Sequence, residues 1–252
     1  MYRMEGETMI TRYWDEITRI LQEVKQTQLL QMEQAARMMA DATLGGHNLF
    51  VFGCNHAGLL ALEMYYRTGG MVNINPVRGP GLHLEINPAT MTSQMERLNG
   101  YGRLLMDMTP IGKGDVIIIH SVSGRNAVSV DAAIRAREKG ASVIVLTNMA
   151  TSTAVESRHE SGIKLYEAAD IVIDNCGCRG DAAIPLPGAS TRIGPTSTVI
   201  GAAILNAVMC RAVELITAAG QEAPVFMSAN ADGGDAYNEK ILKKYAEHIF
   251  YM

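Results

Sequence analysis

Two serines and a glycine after a predicted buried strand have the types and spacing of an anion-binding loop. Ser121 and Ser123 supply hydroxyl donors, and Gly124 lets the backbone come close to a ligand. A helix predicted to begin at Asn126, a good N-cap, would direct unpaired N–H groups and its positive dipole end at this serine loop (residues 121–126). We predict that the loop binds a phosphate group through Ser121, Ser123, Gly124, Arg125 and Asn126. The alternative is an ordinary strand-to-helix turn with polar caps.

A second candidate is the glycine loop (residues 53–58), which follows a predicted strand. Its two end glycines have P-loop spacing, but Leu59 and Leu60 stand where a P-loop has Lys and Ser or Thr. Asn55 replaces the middle glycine of a dinucleotide-binding fingerprint, and the next predicted strand ends in Asn75 and Pro76 rather than in an acidic residue. The glycine loop therefore predicts neither an NTPase nor a nicotinamide site.

Both loops belong to a regular alternation of predicted strands and helices. Four branched apolar residues in a row, Val116 to Ile119, are typical of a strand covered on both faces. We predict an α/β fold with a doubly wound, mainly parallel five-stranded sheet flanked by helices. The predicted strands are 49–52, 71–74, 116–120, 144–147 and 171–174. Loops at Gly53, Ser121 and Thr147 would converge beyond the carboxyl ends of the strands, where such sheets bind ligands.

The rest of the chain predicts helical segments at both ends of this unit. Apolar spacing predicts a long N-terminal amphipathic helix from Ile10 to Val24, continuing with a possible break to Met39 and ending at Gly45. Further helices are predicted over 59–67, 93–106, 127–139, 154–160 and 195–219, with an irregular stretch at 176–192. We expect a helical extension (1–46), an α/β domain (47–220) and a C-terminal arm (221–252).

Composition limits the classes of partner. The 252 residues carry a formal net charge of −4 and no run of Lys or Arg, so we do not expect nucleic-acid binding. Glu5 and Glu7 do not fit the start of a signal peptide. Arg211 and Glu214 interrupt the apolar segment 199–216, which argues against a membrane span. We expect a cytoplasmic protein.

Cysteine usage predicts no disulfide framework. Four cysteines are too few for one in a chain of this size. Cys176 and Cys178 form a C-x-C pair without a second pair at zinc spacing. We therefore expect reduced thiols, and neither a metal nor a cofactor.

The motifs resemble those of the sugar isomerase (SIS) domain family, whose members bind phosphosugars. The family motif S-x-S-G-x-T/S is matched at Ser121, Ser123 and Gly124, and segments 141–148 and 169–174 are similar to two further family strands. The chain looks most similar to a phosphoheptose-isomerase-like branch. The resemblance implies a SIS-type fold and a sugar phosphate as ligand. It implies a substrate site lined by Gly53, Asn55, Ala57, Gly58, Thr147, Asn148, Ser190 and Thr191.

Two positions depart from the family pattern. Asn126 stands where the family has Thr or Ser, so a third hydroxyl donor is missing. Ala57 stands where the glycine loop of family members carries Ser. That second phosphate contact is either absent here or made by backbone N–H groups.

A second resemblance is shorter. Residues 190–196, Ser-Thr-Arg-Ile-Gly-Pro-Thr, are similar to the segment before the last helix of N-acetylmuramic acid 6-phosphate etherases. Three functions therefore stay open: a sugar-phosphate aldose/ketose isomerase acting through an enediolate, which leads, an etherase-like lyase, and a non-catalytic phosphosugar sensor. Sensors of this family usually carry a DNA-binding domain, of which the sequence shows no pattern, and this favours an enzyme.

Both enzymatic reactions remove a proton beside a carbonyl, so they need a base near pH 7 and donors for the enediolate oxygen. Glu63, on the helix after the glycine loop, is the predicted base, and its alternative role is an ion pair with Arg67. His83 and His56 lie in loops and are predicted to open the sugar ring or transfer protons, unless they are merely solvated. His120 ends a buried strand and is expected to be structural.

The C-terminal arm is too apolar and too rich in glycine for a solvated tail, as residues 224–235 show. SIS proteins commonly form dimers that complete each other's sites. The resemblance thus implies a homodimer or higher homo-oligomer in which the arm docks on a neighbouring subunit. The alternative is an arm that closes the edge of its own sheet.

Overall fold

The computed structural model describes residues 8–252 and contains the predicted parallel sheet. Its five strands lie in the order β2-β1-β3-β4-β5, and every neighbouring pair is parallel. They are β1 (Leu49–Gly53), β2 (Ile74–Pro76), β3 (Val116–His120), β4 (Ser142–Thr147) and β5 (Ile171–Asp174). The order reverses direction between β1 and β3, as in doubly wound sheets. The predicted fold class is confirmed.

The strands of the sheet are buried on both faces because two apolar layers cover it. Side chains of one face, including Val51 and Ile118, pack with the N-terminal helices and the long helix that follows the sheet. Side chains of the other face, including Phe52 and Ile119, pack with the helices on either side of β3. Residues Val116 to Ile119 are at most 2% exposed, which explains their continuous run of branched apolar types.

Nine helices flank the sheet in the described part of the chain. They are α1 (Met9–Thr27), α2 (Leu29–Leu44), α3 (Leu59–Met64), α4 (Thr92–Met95), α5 (Tyr101–Met108), α6 (Ala127–Glu138), α7 (Met149–Ser152), α8 (Ser197–Ala218) and α9 (Gly234–Lys244). The predicted N-terminal helix is present with its break at Gln28, which separates α1 from α2. Both helices contribute to the core, through Ile20 on α1 and Met39 on α2.

Helix α8 is the one described helix that is long and apolar enough to cross a membrane by length and composition. It nevertheless packs into the core, where Ile204 and Leu205 are 1% exposed. A Cβ atom added to Gly201 would lie 2.5 Å from Cδ1 of Leu60, so α8 and α3 approach closely there. This packing accounts for the apolar composition of the helix.

Several predicted boundaries were wrong for local reasons. The predicted helix 93–106 is divided into α4 and α5, because Gly100 takes a left-handed conformation with φ of 84°. The helix after β4 is α7 at 149–152 rather than 154–160, since Asn148 caps it by accepting the N–H of Thr151 at 2.8 Å. Ser157 instead bonds the carbonyl of Ile163, which folds that segment into a turn.

The ends of three further elements also differ from prediction. Helix α3 ends at Met64 instead of residue 67, and β2 begins at Ile74, where the predicted strand ended. The stretch predicted to be irregular contains β6 (Ala182–Pro185), which pairs with β7 (Arg192–Pro195) in an antiparallel hairpin. Residues 186–191 form its exposed tip.

The C-terminal arm packs along the β2 edge of its own sheet. Val225 forms an antiparallel bridge with Met71, and the N–H of Val72 donates to the carbonyl of Pro224 at 2.7 Å. Asn75 exchanges hydrogen bonds with the carbonyl of His248 and the N–H of Phe250. These contacts are those of the intrachain alternative. Docking of the arm on a neighbouring subunit stays a prediction.

Candidate functional site

The sheet register brings the two candidate loops together. Gly53 at the end of β1 lies opposite His120 at the end of β3, and His120 lies opposite Leu146 near the end of β4. The glycine loop, the serine loop and the β4–α7 turn therefore leave the sheet side by side. Parallel sheets bind ligands at this edge.

The serine loop is a tight turn tied to the end of β4. The N–H of Gly124 donates to Oγ of Ser121 at 3.2 Å, and Oγ1 of Thr147 donates to the carbonyl of Ser121 at 2.7 Å. Gly124 has φ of +57°, and an added Cβ would lie 2.9 Å from Oγ of Ser152. Ser121 and Thr147 thus hold the loop, and only glycine fits at its centre.

Ser123 has a different role in this loop. Its side chain is half-buried, and its hydroxyl makes no hydrogen bond to any residue in the described chain. The hydroxyl therefore keeps its donor and acceptor capacity for a ligand. Ser123 lies four residues before the start of α6, a twelve-residue helix whose N-terminal dipole favours anions.

Asn126 stands at the predicted N-cap of α6 but does not cap through its side chain. Its backbone is extended, as an N-cap requires, whereas its Oδ1 accepts a hydrogen bond from Nη1 of Arg158 at 2.9 Å. The carbonyl of Glu96 accepts the N–H of Val128 at 3.1 Å and so satisfies one amide of the first turn. The side chain of Asn126 consequently points to residues that the sequence did not connect with the loop.

The glycine loop is wound so tightly that side chains are excluded at both ends. A Cβ on Gly53 would lie 2.5 Å from the carbonyl oxygen of Ala57, and a Cβ on Gly58 would lie 2.9 Å from that of Gly53. Asn55 takes a left-handed conformation with φ of 56°, and its N–H donates to the carbonyl of Leu82 at 2.8 Å. Oδ1 of Asn55 is buried without a partner in the described chain, which leaves an acceptor for a ligand.

The three histidines near these loops occupy different environments. His83 packs against the glycine loop, and its buried Nε2 has no partner among the described residues. Burial lowers the pKa of His83, so its ring is neutral near pH 7. His56 is exposed. His120 is fully buried, its Nδ1 lies 3.1 Å from the carbonyl of Ala57, and burial lowers its pKa to about 4.

Glu63, the predicted base, is engaged by two neighbours. Its carboxylate forms an ion pair with Arg67 and accepts a hydrogen bond from Nδ2 of Asn206 at 3.0 Å. The pairing with Arg67 is the alternative role that the sequence left open. The guanidinium group of Arg67 and the amide of Asn206 thus occupy the carboxylate that was predicted to act as the base.

The remaining predicted residues either stabilise the loops or lie on the β6–β7 hairpin. Asn148 is 1% exposed, and its Nδ2 donates to Oδ1 of Asn175 and to the carbonyl of Gly177. Together with Thr147 it therefore stabilises the loops and is too buried to line an open site. Ser190 and Thr191 lie at the exposed tip of the β6–β7 hairpin. Within the described chain neither hydroxyl makes a hydrogen bond, so no such contact ties them to the serine loop.

Sequence reasoning missed Glu96, which lies between the two loops. Burial raises the pKa of its carboxyl, and hydrogen bonds from Asn126 and Asn55 with the charges of Arg97 and Arg158 oppose that shift. Asn55 belongs to the glycine loop and Asn126 to the serine loop, so one carboxylate touches both. No local pattern marks Glu96, because it meets these loops only through tertiary packing.

The described residues hold no metal site, and two of their clefts lie away from both loops. No group of three or more His, Cys, Asp or Glu in residues 8–252 is placed to hold a metal ion. A cleft of about 380 Å³ lies between Tyr66 and Phe226, and one of about 430 Å³ lies between Val77 and Phe250. Neither is lined by the serine loop or the glycine loop. The candidate site is therefore identified by the side chains of the two loops and not by the volume of a cleft.

Comparison with known proteins agrees with the fold. The SIS domain model matches residues 12–148. A UPF0309 protein of Shouchella clausii is 44% identical over 243 residues, which cover 96% of this chain and 99% of that protein. A UPF0309 protein of Oceanobacillus iheyensis is 42% identical over 245 residues, which cover 97% and 100%.

Among solved structures, a phosphoheptose isomerase from Neisseria gonorrhoeae is similar with a TM-score of 0.49 and 18% identity. The likeness covers 79% of this chain and 96% of that one. A likeness at this level carries no functional argument. Because the SIS match spans more than half of the chain, and the UPF0309 relatives align over nearly all of it, the chain belongs to the SIS domain family and is related to the UPF0309 proteins.

Proposed function

We propose that this protein binds a sugar phosphate with the phosphate monoester on the serine loop. The observation that carries the proposal is the free hydroxyl of Ser123 beside the N-terminus of α6, in a turn that Gly124 and Thr147 keep narrow. A dianion there would meet hydroxyl donors, backbone N–H groups and the positive end of the helix dipole. Membership of the SIS family supports the same ligand class.

We further propose that the reaction is aldose/ketose isomerisation through an enediolate, with Glu96 as the base. A carboxyl with a raised pKa takes up a proton more readily than an ordinary glutamate, which is what a base acting near neutral pH needs. The free Oδ1 of Asn55 would orient a sugar hydroxyl, and the neutral His83 would exchange a proton with a substrate oxygen. Glu63 stays the alternative base.

An etherase-like lyase shares the first proton transfer. The residues that carried that resemblance, 190–196, run from the hairpin tip through β7 to the residue before α8. No hydrogen bond in the described chain links them to the serine loop, so nothing there favours this reaction over isomerisation. A non-catalytic sensor would bind the ligand without exchanging its protons. Proton exchange therefore separates the enzymatic proposals from a sensor, and product analysis separates isomerase from lyase.

The binding proposal is tested with a thermal-shift panel of glucose 6-phosphate, fructose 6-phosphate, glucosamine 6-phosphate and ribulose 5-phosphate. A ligand held at 100 times its Kd adds about 2.7 kcal/mol to the free energy of unfolding, so a true ligand raises Tm clearly. Inorganic phosphate and the unphosphorylated sugars are the controls. If no sugar phosphate raises Tm more than both controls, the binding proposal fails.

We also propose a homo-oligomer, on the ground of an exposed apolar surface on the N-terminal helices. Ile10, Trp14 and Leu30 are 64%, 65% and 67% exposed in the single chain. Ile10 and Trp14 lie four residues apart on α1 and so share one helix face, and exposed apolar side chains on one face are typical of protein–protein contact. Light scattering after gel filtration measures the mass, and a monomer at micromolar concentration would contradict the proposal.

A further inference from the structure

Three arginines beside the serine loop, Arg97, Arg125 and Arg158, make no ion pair with any carboxylate in residues 8–252. Seven other arginines of the described chain each have a carboxylate partner. Those seven are Arg19, Arg37, Arg67, Arg103, Arg135, Arg137 and Arg211. Arg78, Arg179 and Arg192 have no such partner in the described chain either, so what distinguishes the three is that they lie together beside the serine loop.

These three side chains form one cluster, which we call the arginine cluster. The N–H of Arg158 donates to the carbonyl of Arg125 at 2.8 Å, and Arg97 directly follows Glu96. Burial and the positive charges of Arg125 and Arg97 lower the pKa of Arg158, and the charge of Glu96 opposes this. The guanidinium groups are thus close enough to repel one another.

The cluster has unused hydrogen-bond donors. A guanidinium group has five N–H donors, and Arg158 spends one nitrogen on Asn126. Nε of Arg125 is buried without an acceptor in the described chain. Buried donors are nearly always paired, and like charges disfavour each other unless an anion lies between them. The cluster therefore has the charge and the donors for an oxyanion.

The arginine cluster and the serines face different parts of the structure. Ser121 is held by Thr147 at the end of β4, on the side of the loop where Gly124 meets Ser152. The arginines lie on the side of Asn126, where α4 ends. With the monoester on the serine side, the arginine donors on the side of Asn126 are left for a second anionic group.

We propose that Arg97, Arg125 and Arg158 bind a second anionic group of the ligand, a carboxylate or a second phosphate, in addition to the phosphate monoester on the serine loop. This inference rests on the proposed sugar-phosphate function and narrows its substrate class to doubly anionic sugars. Arg97 and Arg158 are exposed, so a ligand reaches them without a change of fold. The planar fork of arginine suits either oxyanion.

Isothermal titration calorimetry tests the proposal with fructose 6-phosphate, fructose 1,6-bisphosphate and 6-phosphogluconate. We expect one of the two doubly anionic ligands to bind at least about tenfold more tightly than fructose 6-phosphate, as for a gained charge-assisted hydrogen bond. The ligand that gains affinity shows whether the second group is a phosphate or a carboxylate.

The double variant Arg97→Gln/Arg158→Gln should remove this advantage and leave the affinity for fructose 6-phosphate within about threefold, since the serine loop is intact. Arg103→Gln, which removes an exposed charge paired with Glu138, is the matched control and should change neither affinity. The double variant Arg97→Lys/Arg158→Lys, which keeps both charges, should retain part of the advantage. Melting curves of each variant report whether it folds.

Four results overturn the inference. Equal affinity for all three ligands would show that the second anion gains nothing from the cluster. A double variant that weakens all three ligands by the same factor would place the arginines in the monoester site itself. If fructose 6-phosphate and the doubly anionic ligands all fail to bind the wild-type protein, the proposed function falls, and this inference falls with it. Tight binding of an oligonucleotide instead of a sugar would also refute it.

Discussion

Ser123→Ala should weaken ligand binding and leave the stability of the fold nearly unchanged. Its hydroxyl makes no hydrogen bond within the described chain, so the change removes no intramolecular contact. The side chain is half-buried in a loop, and we expect the free energy of unfolding to change by less than about 0.5 kcal/mol. In the complex the same hydroxyl would donate to a phosphate oxygen. Losing a hydrogen bond to a charged group costs about 1.5–3 kcal/mol.

That loss corresponds to a Kd raised about 10- to 140-fold, since each 1.4 kcal/mol is a factor of ten. Calorimetry with the most stabilising ligand of the thermal-shift panel measures the ratio, and urea unfolding measures stability. Ser142→Ala is the matched control, because its hydroxyl also makes no hydrogen bond to any of residues 8–252 but lies at the amino end of β4. The reasoning is refuted if Ser123→Ala and Ser142→Ala bind the ligand equally well.

Three further predictions test the base, the helix packing and the buried histidine. Glu96→Gln should abolish solvent deuterium exchange into the sugar phosphate while Kd stays within about threefold, and exchange that persists there but stops in Glu63→Gln would assign the base to Glu63. Gly102→Ala should cost about 1–3 kcal/mol in urea unfolding, because the added Cβ would lie 2.0 Å from the carbonyl oxygen of Val128 where α5 crosses α6, and an unchanged midpoint would contradict that contact. His120 has a pKa of about 4 in the fold, below its ordinary 6.5, so the unfolded chain binds the proton first. The free energy of unfolding therefore keeps its full value above pH 6.5 and falls by about 3 kcal/mol as the pH is lowered to 4. His120→Asn should flatten this part of the curve of unfolding free energy against pH. A curve identical to that of the wild type would contradict the prediction.

Sequence patterns predicted the sheet and the serine loop because both are local signals. The branched run from Val116 to Ile119 has a composition that suits only a strand buried on both faces. Ser121, Ser123 and Gly124 follow it directly, so their position at the sheet edge depended on one boundary. The sequence predicted a break in the N-terminal helix but not its position at Gln28, because no residue there is a strong helix breaker.

The chemistry of Glu96 and of the arginine cluster could not be predicted from the sequence. Glu96 and Arg158 are far apart in the chain and meet at Asn126 only because α4 and the turn after α7 pack on the start of α6. The carboxylate of Glu63 is engaged by Asn206, 143 residues away, as well as by Arg67. Long-range packing decides which carboxylate is free, and periodicity carries no information about it.

A crystal structure with the most stabilising sugar phosphate of the panel tests the central claim most directly. The account predicts phosphate oxygens within hydrogen-bond distance of Oγ of Ser123 and of the first N–H groups of α6. A monoester bound elsewhere, with the serine loop filled by side chains or water, would contradict it.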